Sequence, residues 1–201
     1  LKNKNIYNLI HHQFDTDLNY DYSIQIRESR LKNINDKNYA CIAPFANWMP
    51  KEWPINNFNK CCESLLELGI SKIFVLGSKE DSKRFHLLTN NNDIRIINKC
   101  GSNHLLDDFA LLKKSSIFIG NDSGMMHLSS IANTPSICLF GPTDDNIYFP
   151  KLSEKSYLVR SAQSYRELTS HILNLNKYDK CLMNDISYDN VEMLMKKILN
   201  G

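Results

Sequence analysis

The sequence predicts an α/β fold in which a parallel β-sheet is covered by helices on both faces. Three observations carry that expectation. Strand-length apolar runs alternate with longer stretches of helical periodicity. The segments between successive apolar runs are too long for hairpins, so neighbouring strands are expected to run parallel. Polar segments, several bearing glycine, fall directly after the apolar runs, at the carboxyl ends of the strands, where sheets of this kind bind ligands.

The regular pattern begins at Tyr39. Residues 39–43 (Tyr-Ala-Cys-Ile-Ala) read as a strand, and 55–68 as a helix with an apolar stripe through Phe58, Cys61, Cys62 and Leu65. Gly69 supplies the stop. Residues 72–76 are a short buried strand closed by Gly77; 80–89 read as helical and 94–97 as a strand. Residues 105–114 form a helix whose last turn carries Lys113 and Lys114, as the helix dipole favours. The strand at 116–119 leads into a helix at 125–132, and 136–140 is again a strand. Residues 157–159 add one more strand and 191–199 a closing helix. The stretch 161–180 is weakly patterned and reads as a surface excursion. Residues 1–38 are polar and irregular after a short helical stretch at 5–12, and read as a linker or edge segment. The domain expected is therefore 39–201.

Composition narrows the classes of function. A chain of 201 residues with 42% hydrophobic content builds one sizeable core. A net charge of +2 without a basic run gives no sign of a nucleic-acid partner. No apolar run is long enough to span a membrane, and no signal peptide is visible. The six cysteines include no C-x-x-C pair, and Cys41, Cys61 and Cys138 sit in apolar contexts. They read as scattered reduced thiols of a cytosolic protein. The first residue is Leu rather than Met, which fits a piece of a longer protein.

The richest segment is Gly120-Asn121-Asp122-Ser123-Gly124-Met125-Met126-His127-Leu128. A buried strand ends, a tight polar turn follows, and a helix begins. In that geometry free backbone N–H groups face an anion, most often a phosphate. Gly124 has no Cβ to hold a ligand away from the backbone. His127 lies one turn in, on the side that looks back to the helix mouth. Asp122 taken alone reads as an N-cap, since a carboxylate repels phosphate; within the ensemble it is also suited to a sugar hydroxyl.

A second segment, residues 44–54, follows the first strand. Pro50 and Pro54 are expected to hold it in fixed bends outside regular structure, with Pro54 opening the next helix. Lys51 is placed either as a diphosphate partner or as a solvated surface lysine. Trp53 is expected to pack under the helix. After the second strand, Glu80 or Asp81 suits the two hydroxyls of a ribose, or else simply complements a helix dipole. Neither a G-x-G-x-x-G nor a phosphate-loop pattern occurs, which disfavours NAD and P-loop chemistry.

With these segments in order, the chain resembles glycosyltransferase family 9, the ADP-heptose:lipopolysaccharide heptosyltransferases. The matching parts are Lys51-Glu52-Trp53-Pro54, Gly77 with Glu80-Asp81, Cys100-Gly101, Asn121 to Leu128, Phe140-Gly141-Pro142-Thr143, and the tail at 181–187. The resemblance implies a Rossmann-like sheet that is the carboxyl-terminal half of a GT-B enzyme, the half that holds the nucleotide-sugar donor. It implies Lys51 at the diphosphate, with the backbone of Ser123 and Gly124. It places Asp122 and His127 near sugar or phosphate, Glu80 beside the ribose, Asn103 beside the adenine, and Asn47 on the donor-side loop. Two features depart from the family: Phe45 stands where Gly is usual, and the amino-terminal half, which binds the acceptor and supplies the general base, has no counterpart in these residues.

The function expected is thus donor binding in an inverting transfer of a heptose, or a similar sugar, from ADP to a lipopolysaccharide core acceptor. No cofactor and no metal are expected. The chain would work in the cytoplasm, peripheral at the inner membrane where its acceptor is lipid-borne. The alternatives are a non-catalytic nucleotide-binding module and a transferase using a UDP- or GDP-sugar.

Overall fold

The computed structural model describes residues 38–102, 104–150, 155–172, 174 and 177–200. The segment 1–38 read as a linker, apart from Asn38, and the helical stretch at 5–12 lie outside the described residues. Six strands make one sheet: β1 (Tyr39–Ala43), β2 (Lys72–Val75), β3 (Ile96–Asn98), β4 (Ile117–Asn121), β5 (Ser136–Phe140) and β6 (Ser156–Arg160). Every pairing is parallel, and the spatial order is β3-β2-β1-β4-β5-β6. The direction of progression reverses between β1 and β4, which opens a crevice at their carboxyl ends.

The helices are α1 (Ile55–Glu67), α2 (Lys79–Ser82), α3 (Leu105–Lys114), α4 (Gly124–Ile131), α5 (Asp145–Tyr148), α6 (Tyr165–Thr169) and α7 (Tyr188–Asn200). Alternation along each strand divides the core into two layers. Ala40 and Ile42 of β1, with Ile117 and Ile119 of β4, pack against Phe58, Cys61, Cys62 and Leu65 of α1 and against Val191 and Met195 of α7. Tyr39, Cys41 and Phe118 face the other way, toward Phe109 and Leu112 of α3 and Met126 of α4. Strands β1, β4 and β5 are buried at every position, as strands covered on both faces must be.

Several expectations are corrected. The helix expected at 80–89 is the single turn α2 followed by a separate 3-10 turn, Phe85–Leu87. Ser78 and Asp81 close a capping box around α2, satisfying its first turn locally. The strand expected at 94–97 sits later, at Ile96–Asn98, because Asp93 binds Arg95 in a tight turn and leaves Ile94 92% exposed. Residues 49–51 of the proline-bounded loop do form regular structure, a 3-10 turn, with Pro50 at its start where the missing N–H costs nothing. Within 161–180 lies α6, opened by a Ser164–Glu167 capping box that the irregular apolar pattern hides.

The six cysteines are free thiols, five of them buried. Burial pushes the Cys41 and Cys62 thiols up to about 12, so they are neutral packing residues. No helix among the described residues is long and apolar enough to cross a membrane.

Candidate functional site

The crevice between β1 and β4 is an open cleft of about 970 Å³. Its walls come from the loops after β1, β2, β4 and β5. Asn47, Lys51, Glu80, Asp122, Ser123, Gly124 and His127 all line it. Asn103 lies outside the described residues.

The loop after β1 is held in place from four directions. Asn121, fully buried at the end of β4, accepts from Trp53 N at 3.1 Å and donates to Pro44 O at 2.8 Å. Glu52 accepts from Ala46 N at 2.9 Å. The tail segment closes the back: Leu182 N donates to Pro50 O at 3.2 Å, and the Cys181 thiol to Glu52 O at 3.1 Å. Trp53 packs edge-on against Phe58 and donates its indole N–H to Ile186 O at 3.0 Å, which makes it a core residue rather than a base-stacking one.

Lys51 ends the 3-10 turn and reaches Asp122 Oδ2 at 3.3 Å. This overturns the reading of Asp122 as an N-cap. Its carboxylate turns away from the first turn of α4 and takes the ammonium instead. Ser123 occupies the N-cap position, yet no side chain caps the helix. The Ser123 Oγ is buried without a hydrogen-bond partner, as is Thr143 Oγ1 on the loop after β5. An unpaired buried hydroxyl costs on the order of 1–3 kcal/mol, so both are poised to gain from a polar ligand. A Cβ built on Gly124 meets nothing within 4 Å, so the space over the helix mouth is open.

His127 is half-buried beside this pair. Burial lowers its pKa below the usual histidine value; Asp122 opposes that shift and Lys51 adds to it. Burial thus favours the neutral ring, whereas a nearby anion would favour its protonation.

The loop after β2 separates its two acids. The Asp81 carboxylate is engaged by Ser78 N and Oγ, both at 2.8 Å, and serves the cap. Glu80 is exposed on the cleft wall.

Arg84 was not singled out in the sequence, and Glu52, Asn121 and Thr143 stood in the matched segments without a role of their own. Arg84 lines the cleft and gives both terminal nitrogens to Glu52, at 2.7 and 2.6 Å, while its guanidinium lies 4.5 Å from the centre of the Phe45 ring. Phe45, at the position where glycine was expected, is buried under that plane. The available signals were weak: an Arg one turn past Glu80, and Thr143 inside Phe-Gly-Pro-Thr. Among the described residues, no three His, Cys, Asp or Glu side chains gather as a metal site.

The chain matches known proteins in sequence and in fold. The sequence profile of glycosyltransferase family 9 (heptosyltransferase) matches residues 6–178. The chain belongs to glycosyltransferase family 9. It is 32% identical over 138 residues to lipooligosaccharide heptosyltransferase 2 of Haemophilus ducreyi, covering 65% of this chain and 39% of that protein. Family members of this kind are roughly twice as long: the E. coli ADP-heptose lipopolysaccharide heptosyltransferase II superposes with a TM-score of 0.69 at 19% identity, covering 86% of this chain and 50% of that one. The E. coli heptosyltransferase WaaC, solved with ADP, superposes with a TM-score of 0.63 at 16% identity over 85% of this chain and 48% of its own. The present chain thus has the fold of one half of a GT-B family 9 enzyme.

Proposed function

We propose that this chain is the carboxyl-terminal, donor-binding half of an inverting glycosyltransferase that moves a heptose from ADP-heptose to a hydroxyl of a lipopolysaccharide core acceptor. The observation that carries the reading is the convergence of Lys51 and the uncapped N-terminus of α4 on one side of a cleft whose other side presents Glu80. A nucleoside diphosphate is anionic at one end and carries a vicinal diol toward the other, and the two walls answer those two chemistries. Relatives named as heptosyltransferases, and a structural neighbour solved with ADP, agree with it.

Departure of the diphosphate concentrates negative charge on its distal oxygens. Lys51 meets that charge with an ammonium, and the first N–H groups of α4 meet it with aligned dipoles. Ser123 gains the partner it lacks. His127 supplies a further donor and becomes cationic as the anion's field offsets its burial. These groups stabilise the leaving group without assigning a metal to the step. The acceptor and the general base belong to the other half of the enzyme, and the working location is the cytoplasmic face of the inner membrane.

Calorimetric titration of the chain with ADP, UDP and GDP, with and without Mg²⁺, tests this. Selective, metal-independent ADP binding is the expected result. Preference for UDP or GDP replaces the donor and keeps the transferase. Binding of none by the folded chain removes the cleft as a donor site. A non-catalytic nucleotide module is distinguished by the full reading frame, which would then bind ADP-heptose and release no ADP with any acceptor.

A further inference from the structure

We propose that Arg84 is the platform on which the nucleobase of the donor stacks, so that the loop after β2 reads base identity through a guanidinium plane. This rests on the donor-site reading above.

The side chain is held by two neighbours, Glu52 and Phe45. Its terminal nitrogens are paired with both oxygens of Glu52, at 2.7 and 2.6 Å, which locks the plane in orientation. One face lies on Phe45 at 4.5 Å. Arg84 keeps 31% of its side chain exposed and lines the cleft, so a ligand there can reach it on the side away from Phe45 and Glu52. A guanidinium held in this way loses little entropy when a flat partner lands on it.

Local charge decides which part of the ligand that is. Arg84 is accompanied by Glu52, by Asp81 at 3.9 Å, and by Glu80 four residues earlier. Three carboxylates against one guanidinium repel a phosphate. Lys51, by contrast, has the α4 N-terminus beside it and Asp122 as its named acid. The diphosphate therefore sits toward β4, and the portion near Arg84 must be uncharged and flat. A nucleobase satisfies both conditions, and stacking on Arg is an ordinary way of holding one. Glu80, one turn before Arg84, then falls between base and diphosphate, where the ribose diol must be. A purine covers more of the plane than a pyrimidine does, so the platform favours ADP over UDP.

The test is titration of wild type and Arg84→Lys with ADP, UDP and inorganic diphosphate. Lysine keeps a cation for Glu52 and removes the plane. ADP affinity is expected to fall about fivefold, the scale of a cation–π contact, with a smaller loss for UDP and none for diphosphate. An equal loss for all three overturns the proposal, because Arg84 would then act only by bracing the Lys51 loop through Glu52. Unchanged ADP affinity overturns it too, since the base would lie elsewhere. Should Arg84→Lys not fold, Phe45→Leu leaves the Glu52 pair intact and withdraws the support behind the plane. It should lower ADP affinity while sparing diphosphate, and equal or absent losses again overturn the idea. A wild-type chain that binds none of ADP, UDP and GDP sinks the donor reading itself, whereas equal ADP binding by wild type and Arg84→Lys sinks only the platform.

Discussion

Two ion pairs stand on the same cleft and do opposite things. Arg84–Glu52 is saturated: two short hydrogen bonds, a third from Ala46 N to the same carboxylate, and an aromatic ring behind the guanidinium. Lys51–Asp122 is a single contact of 3.3 Å between a flexible ammonium and a carboxylate. The first pair consumes its charge to join the loops after β1 and β2. The second holds its charge in place and leaves two ammonium protons to be shared. The difference separates the two pairs: the arginine fixes loop geometry, and the lysine is the less committed cation, the one our proposal sets against the diphosphate.

The sharpest way to break the contrast is to remove the acid of the rigid pair. Glu52→Ala leaves Arg84 and Ala46 N without their acceptor. It should lower unfolding free energy by about 3 kcal/mol, at the low end for a disrupted buried pair because the arginine can still reach water. Urea denaturation reads this directly, and a change under about 1 kcal/mol would make the pair an ordinary surface bridge.

Lys51→Ala is the counterpart. It should reduce ADP affinity about 10- to 100-fold, the scale of one charge-assisted hydrogen bond, with a far smaller effect on unfolding than Glu52→Ala. A Lys51→Ala protein that binds ADP as wild type does would move the diphosphate away from β4.

The glycines offer a finer version. A Cβ at Gly120 would lie 2.5 Å from the Phe118 ring, inside the core, so Gly120→Ala should cost about 1–3 kcal/mol of stability. A Cβ at Gly124 enters open space. Gly124→Ala should unfold like wild type and still weaken ADP binding. Equal ADP affinity in the two proteins would mean that no ligand approaches the helix mouth.

The smallest effect belongs to His127. Its folded pKa lies below the unfolded value, so the unfolded chain binds the extra proton first. Stability should therefore fall as pH drops below about 6.5 and continue falling until the folded ring also protonates. His127→Gln should flatten that slope. Diphosphate binding pulls the same pKa upward, so titrations in buffers of different ionisation heat should show proton uptake with ADP that is absent in His127→Gln.

Elements with self-contained signals were legible from sequence. Strands β1 and β5 and helix α3 begin and end where apolar pattern and dipole-matched charges put them. The cleft-lining set Lys51, Glu80, Asp122, Ser123, Gly124 and His127 was legible because each lies just past a buried strand. What escaped depends on partners distant in sequence. Asn121 and Trp53 are 68 residues apart, and Arg84 and Glu52 are 32 apart. No periodicity encodes such pairings. The same cause explains the cap assigned to Asp122: its local preference was for the helix, and a lysine 71 residues earlier outcompeted it.

The braces behind the loop after β1 carry a consequence for folding. Trp53 is tied to Ile186, 133 residues later, and Glu52 to Cys181, 129 residues later. The lysine-bearing loop and the segment that fixes it are thus joined by contacts far apart in sequence. Contacts of such separation close slowly. The loop therefore gains its backing only when the segment around residues 181–186 docks. Removing residues 181–200 should therefore loosen the Lys51 loop and also uncover the sheet face that Val191 and Met195 pack against, with a loss of stability.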